Sequence, residues 1–317
     1  MKRMKDILTK KWVVVSIAVF CAILWGSAFP VLKVSYEEMH MAANDTIAKV
    51  VFAGMRFLMA GLMLIIGLLL ANRKSLKVTK RQFRFLIVFG VIQTALQYFF
   101  FYNGLAHTSG MQGAILSSSG TFFTVLIAHF FYRNDRLNGA KTIGLIAGFG
   151  GIIVANWGQS FHFVFQFNGE GYMILAALTG AIGTIMAKEM AIGIHPFALT
   201  GFQLTIGSVL LLLVGLPQMQ PGAIVFTPLG WVLLIYSAFL SAAAFALWYS
   251  ILKYNKAGEI AIYKFITPVS GAILSAMFIK GESLNMAILA GVALVAAGVS
   301  AINFKKRETE QIVQKRG

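Results

Sequence analysis

The chain has 317 residues, of which 58% are hydrophobic and only 12% are charged. A soluble core does not need so much apolar surface, so this composition excludes an ordinary globular protein and indicates a membrane protein. The 27 Lys and Arg residues against 11 Asp and Glu give a net charge of +16. In a soluble domain that excess would suggest nucleic acid as a partner, but here the cations flank apolar segments and act as topology signals.

Ten apolar segments are long enough, at roughly 20 residues each, to cross a bilayer as helices. The sequence therefore predicts an all-α integral membrane protein with ten transmembrane helices. The first segment follows basic residues, as in a secretory signal, but it continues through Val34 and is better interpreted as a span. The segments run from Trp12 to Val34, Ile47 to Ala71, Phe85 to Ala106, Gly110 to Tyr132, Ala140 to Trp157, Gly171 to Met190, Phe197 to Leu216, Leu229 to Leu252, Gly258 to Ile279, and Ala287 to Phe304.

Basic residues are found in every second loop between these segments. Both tails and the even-numbered loops carry Lys and Arg, whereas the odd-numbered loops have almost none and the first of them is acidic. Because cytoplasmic loops are enriched in Lys and Arg, we expect both termini to be cytoplasmic. This pattern predicts a multi-pass protein surrounded by the lipid bilayer.

The chain contains an internal repeat. A shift of 147 positions aligns the stretch from Tyr102 to Asn156 with that from Tyr249 to Asn303 without a gap, and it also places Arg56 on Gln203. Such self-similarity indicates a duplicated unit. Further pairs at this offset are Leu105 with Leu252, Ile115 with Ile262, Asp135 with Glu282, Asn138 with Asn285, Gly144 with Gly291, and Gly151 with Gly298.

The repeat predicts two five-helix halves, residues 1–157 and 168–304, followed by a basic cytoplasmic tail, residues 305–317. Since five is an odd number, the second half must enter the bilayer upside down relative to the first. Inverted repeats of this kind are characteristic of secondary transporters, whose halves build a binding site near the bilayer midplane.

The first span and the second span each offer a cation. In the first, Gly26 and Ser27 permit close helix packing, Pro30 is a candidate helix break, and Trp25 lies on the face of Lys33, which can also simply reach the outer headgroups. Arg56 lies near the midplane, where an unpaired cation costs at least about 2.5 kcal/mol, so it must face the bundle. It is a candidate for substrate contact or for a structural bond to neighbouring helices.

The ninth span carries Lys264, with Pro268 one turn later as a candidate helix break or gating position. Lys264 is a candidate for the binding cavity. Its counterpart in the first half is Ser117, which with Ser118 either offers hydroxyl groups to a ligand or only permits close packing.

Polar and aromatic side chains in the third and eighth spans complete the candidate substrate site. Gln93 and Gln97 share one helix face and are expected to point inward, since amides are costly towards lipid. Tyr102 and Trp248 are either cavity residues or anchors at the membrane interface.

Several kinds of chemistry are missing from the sequence. No Asp or Glu lies deep in a span, so proton coupling is unsupported. No phosphate-binding loop, serine nucleophile motif or metal-spaced His and Cys cluster is found, and the only cysteine, Cys21, has no partner. We therefore predict no catalytic residues, no metal and no cofactor.

These residues together resemble the drug/metabolite transporter superfamily, specifically its ten-helix proteins with two EamA-like domains. The similar stretches are Trp25 to Pro30, Arg56-Phe57, Tyr102 through Asn138, and Tyr263 to Pro268 with Gly281-Glu282 after it. The resemblance implies the fold and metabolite permeation, often export, with a substrate among amino acids, other metabolites, nucleotide sugars or phosphorylated sugars. It also implies that Arg56 serves structure or gating.

Together with this resemblance, the sequence predicts a permease of the bacterial inner membrane that exports a small polar metabolite such as an amino acid by alternating access. A transporter of a sugar, nucleoside or drug-like compound is the alternative within the same class. A membrane-embedded enzyme or a sensor is the alternative from another class. The oligomeric state does not follow from the sequence.

Overall fold

The computed structural model describes residues 2–108, 110–155, 157, 165–279 and 284–314, with side chains described for 4–108, 113–155, 157, 165–279 and 284–300. Within these ranges the chain is helical and forms no strand, which confirms the all-α prediction. The repeat positions Asn156 and Glu282, Gly281, and the end of the tail at residues 315–317 lie outside the described residues.

Ten helices correspond to the ten predicted spans, after a short helix Lys2–Leu8. Eight of them are long and apolar enough to cross a membrane, and α5 and the apolar part of α10, Met286–Ser300, are shorter apolar helices. The ten-helix prediction is confirmed. The helices are α1 Lys11–Glu38, α2 Thr46–Asn72, α3 Lys80–Leu105, α4 Gly110–Phe131, α5 Gly139–Ala155, α6 Phe167–Gly193, α7 Pro196–Gly215, α8 Pro228–Leu252, α9 Ala257–Phe278 and α10 Met286–Gln314.

Local sequence fixes where several of these helices begin. The Asp45 side chain accepts a 2.8 Å hydrogen bond from the Ala48 N–H and so caps α2. Thr79 caps α3 in a reciprocal capping box with Gln82. Thr227 accepts a 2.9 Å bond from the Gly230 N–H at the start of α8. Side-chain oxygens at these positions satisfy backbone donors that the first helical turn leaves free.

The helices pack in pairs that repeat between the two halves. Helix α2 packs against α7, and α5 packs against α10, so each of these helices meets its own counterpart. The remaining large contacts are also matched: α4 with α6 corresponds to α9 with α1, and α3 with α6 corresponds to α8 with α1. The helix pairs of the second five-helix segment thus match those of the first, which is the contact pattern that an inverted repeat predicts.

Glycines allow the counterpart helices to approach closely. A Cβ atom on Gly61 of α2 would lie 2.8 Å from the backbone N of Thr205 in α7, and one on Gly151 of α5 would lie 2.8 Å from the Gly291 carbonyl of α10. Membrane helices without a hydrophobic driving force between them associate through such small residues.

Candidate functional site

A cavity of about 600 Å³ lies between the two halves. It reaches the end of the bundle that holds the α1–α2 loop, and we call this end the mouth, defined by Lys33, Ala43, Lys49 and Ala106. The nine predicted substrate residues come from six helices, and all of them line this one cavity. They are Trp25, Arg56, Gln93, Gln97, Tyr102, Ser117, Ser118, Trp248 and Lys264.

Lys264 reaches the cavity from an irregular part of α9. The residues Ile262–Phe265 form a 3₁₀ turn within this helix, and Pro268, one turn further, also lines the cavity. The Lys264 Nζ donates a 3.3 Å hydrogen bond to the Thr184 Oγ1. It also lies 5.9 Å from the centre of the Trp25 ring and 5.4 Å from that of Trp248. At these distances the faces of the two indole rings attract the ammonium group.

The two tryptophans bring both repeats together around this lysine. Trp25 in α1 meets Trp248 and Phe245 in α8, each at 5.2 Å between ring centres in an edge-to-face arrangement. The Nε1 atoms of both tryptophans are buried and have no hydrogen-bond partner among the residues that the structure describes, and Trp248 as a whole is only 1% exposed. Both indole N–H groups can therefore donate to a group in the cavity that accepts hydrogen bonds.

Arg56 is the second cation of the cavity interior. It is 4% exposed, and its guanidinium lies 4.2 Å from the centre of the Phe57 ring. Its Nε has no hydrogen-bond partner, and no carboxylate forms an ion pair with it among the described residues. The arrangement holds a desolvated positive charge next to an aromatic face, where an anion can compensate it.

Gln93 and Gln97 are held by a local change of helix geometry. Val91–Leu96 forms a π-helical turn inside α3, a feature that often occurs at functional sites. The Oε1 atoms of both glutamines are buried without a partner. The two amides lie against glycines of α6: a Cβ on Gly180 would lie 2.9 Å from the Gln97 Nε2, and one on Gly183 would overlap Gln93. Helix α6 thus leaves room for both amides at the cavity wall.

The remaining predicted residues differ in whether their side chains are available to a molecule in the cavity. Ser117 and Ser118 both donate to the Ala114 carbonyl, at 3.1 and 2.7 Å, so their protons are used within α4. Tyr102 lines the cavity and is 5% exposed. Pro30 does not line the cavity; it is buried in α1, which remains helical through this position.

The cavity lining is positively charged. Lys33, Lys49, Arg56 and Lys264 line it, and none of the described lining residues is an Asp or Glu. Low-dielectric walls concentrate the field of such charges, which raises the local concentration of anions. The electrostatics of this cavity therefore favour a negatively charged group.

Three buried side chains, which we call the floor, are bonded to one another behind the cavity wall, and Tyr249 is the one of them that lines the cavity. The Gln203 Nε2 donates to the Thr94 Oγ1, and the Tyr249 hydroxyl donates a 3.2 Å bond to the Gln203 Oε1. Gln203 and Thr94 are fully buried, and Tyr249 is 2% exposed. These bonds join α3, α7 and α8 across the two halves.

The end of the bundle opposite the mouth, beyond the floor, is closed by further polar contacts. The Asp135 carboxylate pairs with Lys141, and its second oxygen accepts a 2.8 Å bond from the Gly258 N–H at the start of α9. Lys188 of α6 donates to the Leu252 carbonyl at 3.1 Å and to the Asn255 carbonyl at the end of α8. The described structure is thus open at the mouth and closed at the other end.

Sequence reasoning missed several lining residues. Thr184 and Thr267, Ser241 of α8 and Phe245 all line the cavity. Small hydroxyl residues in apolar helices are usually there for packing, and their own sequence contexts carry no signal that separates the two roles. Only the tertiary arrangement places Thr184 beside Lys264.

A family comparison agrees with this architecture. The model of the EamA-like transporter family matches residues 12–157 and 167–304, which is most of the chain. The chain belongs to the EamA-like transporter family. The two matched segments correspond to the two halves that pack around the cavity.

Two of three similar relatives are transporters by name. The uncharacterized transporter YvbV of Bacillus subtilis (strain 168) is 28% identical, covering 91% of this chain and 90% of its own. The uncharacterized transporter YetK of the same organism is 27% identical, with 98% and 92% covered. A chloroplastic WAT1-related protein, At3g02690, of Arabidopsis thaliana is 22% identical, with 88% and 67% covered. The EamA-like chain is accordingly a multi-pass membrane transporter.

A solved crystal structure shares the fold of this EamA-like transporter. It superimposes with a TM-score of 0.76 at 17% identity, covering 95% of this chain and 100% of the other. The ten-helix arrangement is thus a fold already seen in an experimental structure.

Proposed function

We propose that this EamA-like protein is a secondary transporter of a small polar metabolite that carries a carboxylate, such as an amino acid. The two halves would rock around the cavity and expose it to either side of the membrane in turn. One observation carries the proposal: Lys264 and Arg56 line a cavity that has no carboxylate among its described lining residues.

The geometry around Lys264 suits a carboxylate. An anion beside its Nζ would accept hydrogen bonds from the Trp25 and Trp248 Nε1 atoms, which have no hydrogen-bond partner among the described residues. Charge-assisted hydrogen bonds of this kind are about twice as strong as neutral ones. The carboxylate would thereby satisfy two buried donors and neutralise a buried cation at one place.

The glutamine pair suits the other end of such a metabolite. The partnerless Oε1 atoms of Gln93 and Gln97 can accept hydrogen bonds from an amino group or a hydroxyl group. A volume of about 600 Å³ lies within the range of small-molecule sites, so the cavity can hold an amino acid with its side chain.

Direction and topology are part of the proposal. The basic tails and loops support an orientation with both termini in the cytoplasm of a bacterial cell, which places the mouth on the outside. Reporter fusions of alkaline phosphatase and a fluorescent protein to the ends of α1 and α2 test this orientation. Activity of the phosphatase after α2 but not after α1 would contradict it. Export is the direction that we propose, and loading of everted vesicles with a transported metabolite tests it.

Reconstituted protein in liposomes provides the main test of function. Uptake of labelled amino acids is compared with uptake of sugars and nucleosides, in wild type and in the Lys264→Ala and Arg56→Ala variants. We expect amino acid flux that both variants reduce. The matched control is Lys256→Ala, because Lys256 is 44% exposed and lies outside the cavity lining. Flux in both cavity variants equal to that of wild type would overturn the carboxylate site.

A further inference from the structure

The connection between α2 and α3 carries a dense group of cations at the end of the bundle opposite the mouth. Six Lys and Arg side chains lie close together in the sequence, and all six are exposed. We call them the basic patch: Arg73, Lys74, Lys77, Lys80, Arg81 and Arg84. The sequence has no Asp or Glu between Asp45 and Asp135, and no carboxylate pairs with the patch among the described residues. The patch therefore presents positive charge that the described part of the chain does not neutralise.

Other lysines at this end of the bundle have partners within the chain. Lys141 is buried against the Asp135 carboxylate. Lys188 donates to carbonyl groups at the end of α8, and Lys256 pairs with the Glu259 carboxylate at 3.1 Å. By contrast, the charges of the basic patch are available to a partner outside the chain.

Uncharged neighbours hold the basic patch in place. Leu76 and Val78 pack against the hydrophobic core, and Thr79 and Gln82 form the capping box at the start of α3. The Gln82 Nε2 also donates a 3.1 Å hydrogen bond to the Gly193 carbonyl at the end of α6. The cations thus project from a turn that is fixed against the bundle.

Exposed apolar side chains next to the basic patch indicate its depth in the membrane. Leu70 at the end of α2 is 85% exposed and Phe85 of α3 is 50% exposed, as expected of side chains that face acyl chains. Arg81, Arg84 and Phe85 share one face of α3, and the Arg81 guanidinium lies 5.9 Å from the centre of the Phe85 ring. Cations just beyond such an apolar surface lie level with the lipid headgroups.

The second half shows that the connection forms without these charges. At the 147-residue offset the six positions hold no charged residue: Gln220, Pro221, Ile224, Thr227, Pro228 and Trp231. The start of α8 is nevertheless capped, because Thr227 accepts a bond from the Gly230 N–H. The cations of the first half therefore serve orientation in the membrane or a partner, and not the fold of the connection itself.

We propose that the basic patch binds anionic phospholipids of the leaflet at this end, with Arg81 and Arg84 on the lipid phosphate and Leu70 and Phe85 against the acyl chains. Clusters of about four to eight Lys and Arg beside a membrane helix are typical of such sites. Guanidinium groups bind phosphate through paired N–H donors. The exposed apolar rim favours a lipid over a soluble phosphate. This binding does not depend on the cavity or on the transported metabolite.

Lipid binding to purified protein tests the proposal. Delipidated protein in a neutral detergent is titrated with dioleoyl phosphatidylglycerol, which is anionic, or with dioleoyl phosphatidylcholine, which is zwitterionic and has the same acyl chains. Native mass spectrometry counts the bound lipids. We expect phosphatidylglycerol to bind on the order of tenfold more tightly, and the variant Arg81→Gln/Arg84→Gln to lose most of this preference. Equal binding of the two lipids by wild type would overturn the proposal.

The matched control is Arg133→Gln/Arg136→Gln, which removes two exposed arginines from the α4–α5 loop at the same end. It should keep the preference for phosphatidylglycerol. An equal loss in this control would overturn the site, because only the total charge of this end would then matter. Glycerophosphoglycerol, the same headgroup without acyl chains, should not displace the bound lipid. Its displacement of the lipid at millimolar concentration would identify a soluble phosphate as the ligand and overturn the lipid site.

A further measurement needs no variant. The preference of wild type for phosphatidylglycerol should disappear at high salt, because exposed charges are screened. A preference that salt does not change would overturn the charged contact, even if Arg81→Gln/Arg84→Gln failed to fold. That variant keeps the other four cations of the patch, so the orientation signal of the connection remains.

Discussion

The Asp135 carboxylate in the loop between α4 and α5 accepts a 2.8 Å hydrogen bond from the backbone N–H of Gly258 at the start of α9. This bond joins the first half of the chain to the second. The same carboxylate pairs with Lys141, and both side chains are only 1% exposed. An anion at a helix N-terminus is favourable, and here the carboxylate also neutralises the buried ammonium group of Lys141.

Replacement of Asp135 with Asn should therefore destabilise the protein. It leaves the Lys141 ammonium buried without its ion-pair partner, and loss of one partner of a buried pair costs roughly 3 kcal/mol. Thermal unfolding in detergent measures the effect. The control is Lys256→Ala, which removes the more exposed pair with Glu259 at 3.1 Å and should cost less than about 1 kcal/mol. Equal losses in the two variants would contradict the structural role of Asp135.

Neighbouring aromatic residues in α8 allow binding to be separated from folding. Trp248→Phe removes an indole N–H that has no partner among the described residues, so we expect no loss of thermal stability from a broken hydrogen bond. The apparent affinity in transport assays should fall about tenfold, because the proposed carboxylate loses a donor.

Tyr249→Phe is the matched control. It removes a hydroxyl that is bonded to Gln203 at 3.2 Å, and it should lower stability by about 1 kcal/mol. If Trp248→Phe lowers stability as much and leaves the apparent affinity unchanged, the indole N–H has a structural role that the geometry does not show.

The close contact between α2 and α7 predicts different effects on stability for alanine substitutions at Gly61 and Gly67 of α2. Gly61→Ala forces a Cβ to within 2.8 Å of the Thr205 backbone N and 2.9 Å of the Gly201 carbonyl, so we expect a loss of about 1–3 kcal/mol. Gly67→Ala meets no atom within 4 Å and should be neutral or slightly stabilising. Melting temperatures of the two variants check this, and a Gly61→Ala protein as stable as Gly67→Ala would disprove the close approach.

His195, between α6 and α7, should make stability depend on pH. Its pKa is lowered first by burial and second by the nearby Lys253. The unfolded chain then takes up a proton at a higher pH than the folded chain, so stability is complete above the unfolded pKa of about 6.5 and declines as the pH falls below it.

Melting temperatures between pH 7.5 and 5.5 test this sign. The decline should be smaller in His195→Asn, and Lys253→Met, which removes the second cause, should reduce it only in part. A wild-type protein whose stability rises as the pH falls through this range would contradict the assignment.

Hydrophobicity and charge in the sequence were enough to predict the helices, because each span must satisfy its backbone within itself and bury an apolar length set by the bilayer. They also led to the residues of the cavity lining. Cations and amides are costly to expose to lipid, so Arg56, Lys264 and Gln93 were expected to face the interior of the helix bundle. Whether these residues bind a substrate stays a prediction.

Other features needed the tertiary structure. The π-helical turn at Val91–Leu96 has no sequence pattern, and the position of Thr184 beside Lys264 depends on how α6 packs against α9. Lys141 looked like one topology signal among many, yet it is buried against Asp135. The sequence also does not distinguish Pro30, which is enclosed within a continuous α1, from Pro268, which lies on the cavity.

The open mouth has a consequence for inhibition. A compound with a carboxylate at one end and a bulky apolar tail could reach Lys264 while its tail fills the space between Lys33 and Ala106. Such a compound would pair with the same Lys264 ammonium group as a transported metabolite, but its tail would prevent the helices at the mouth from closing. It would then stop the transport cycle from the mouth side without crossing the membrane. The size of such a compound, and not its affinity for Lys264, would determine whether it is transported or inhibits transport.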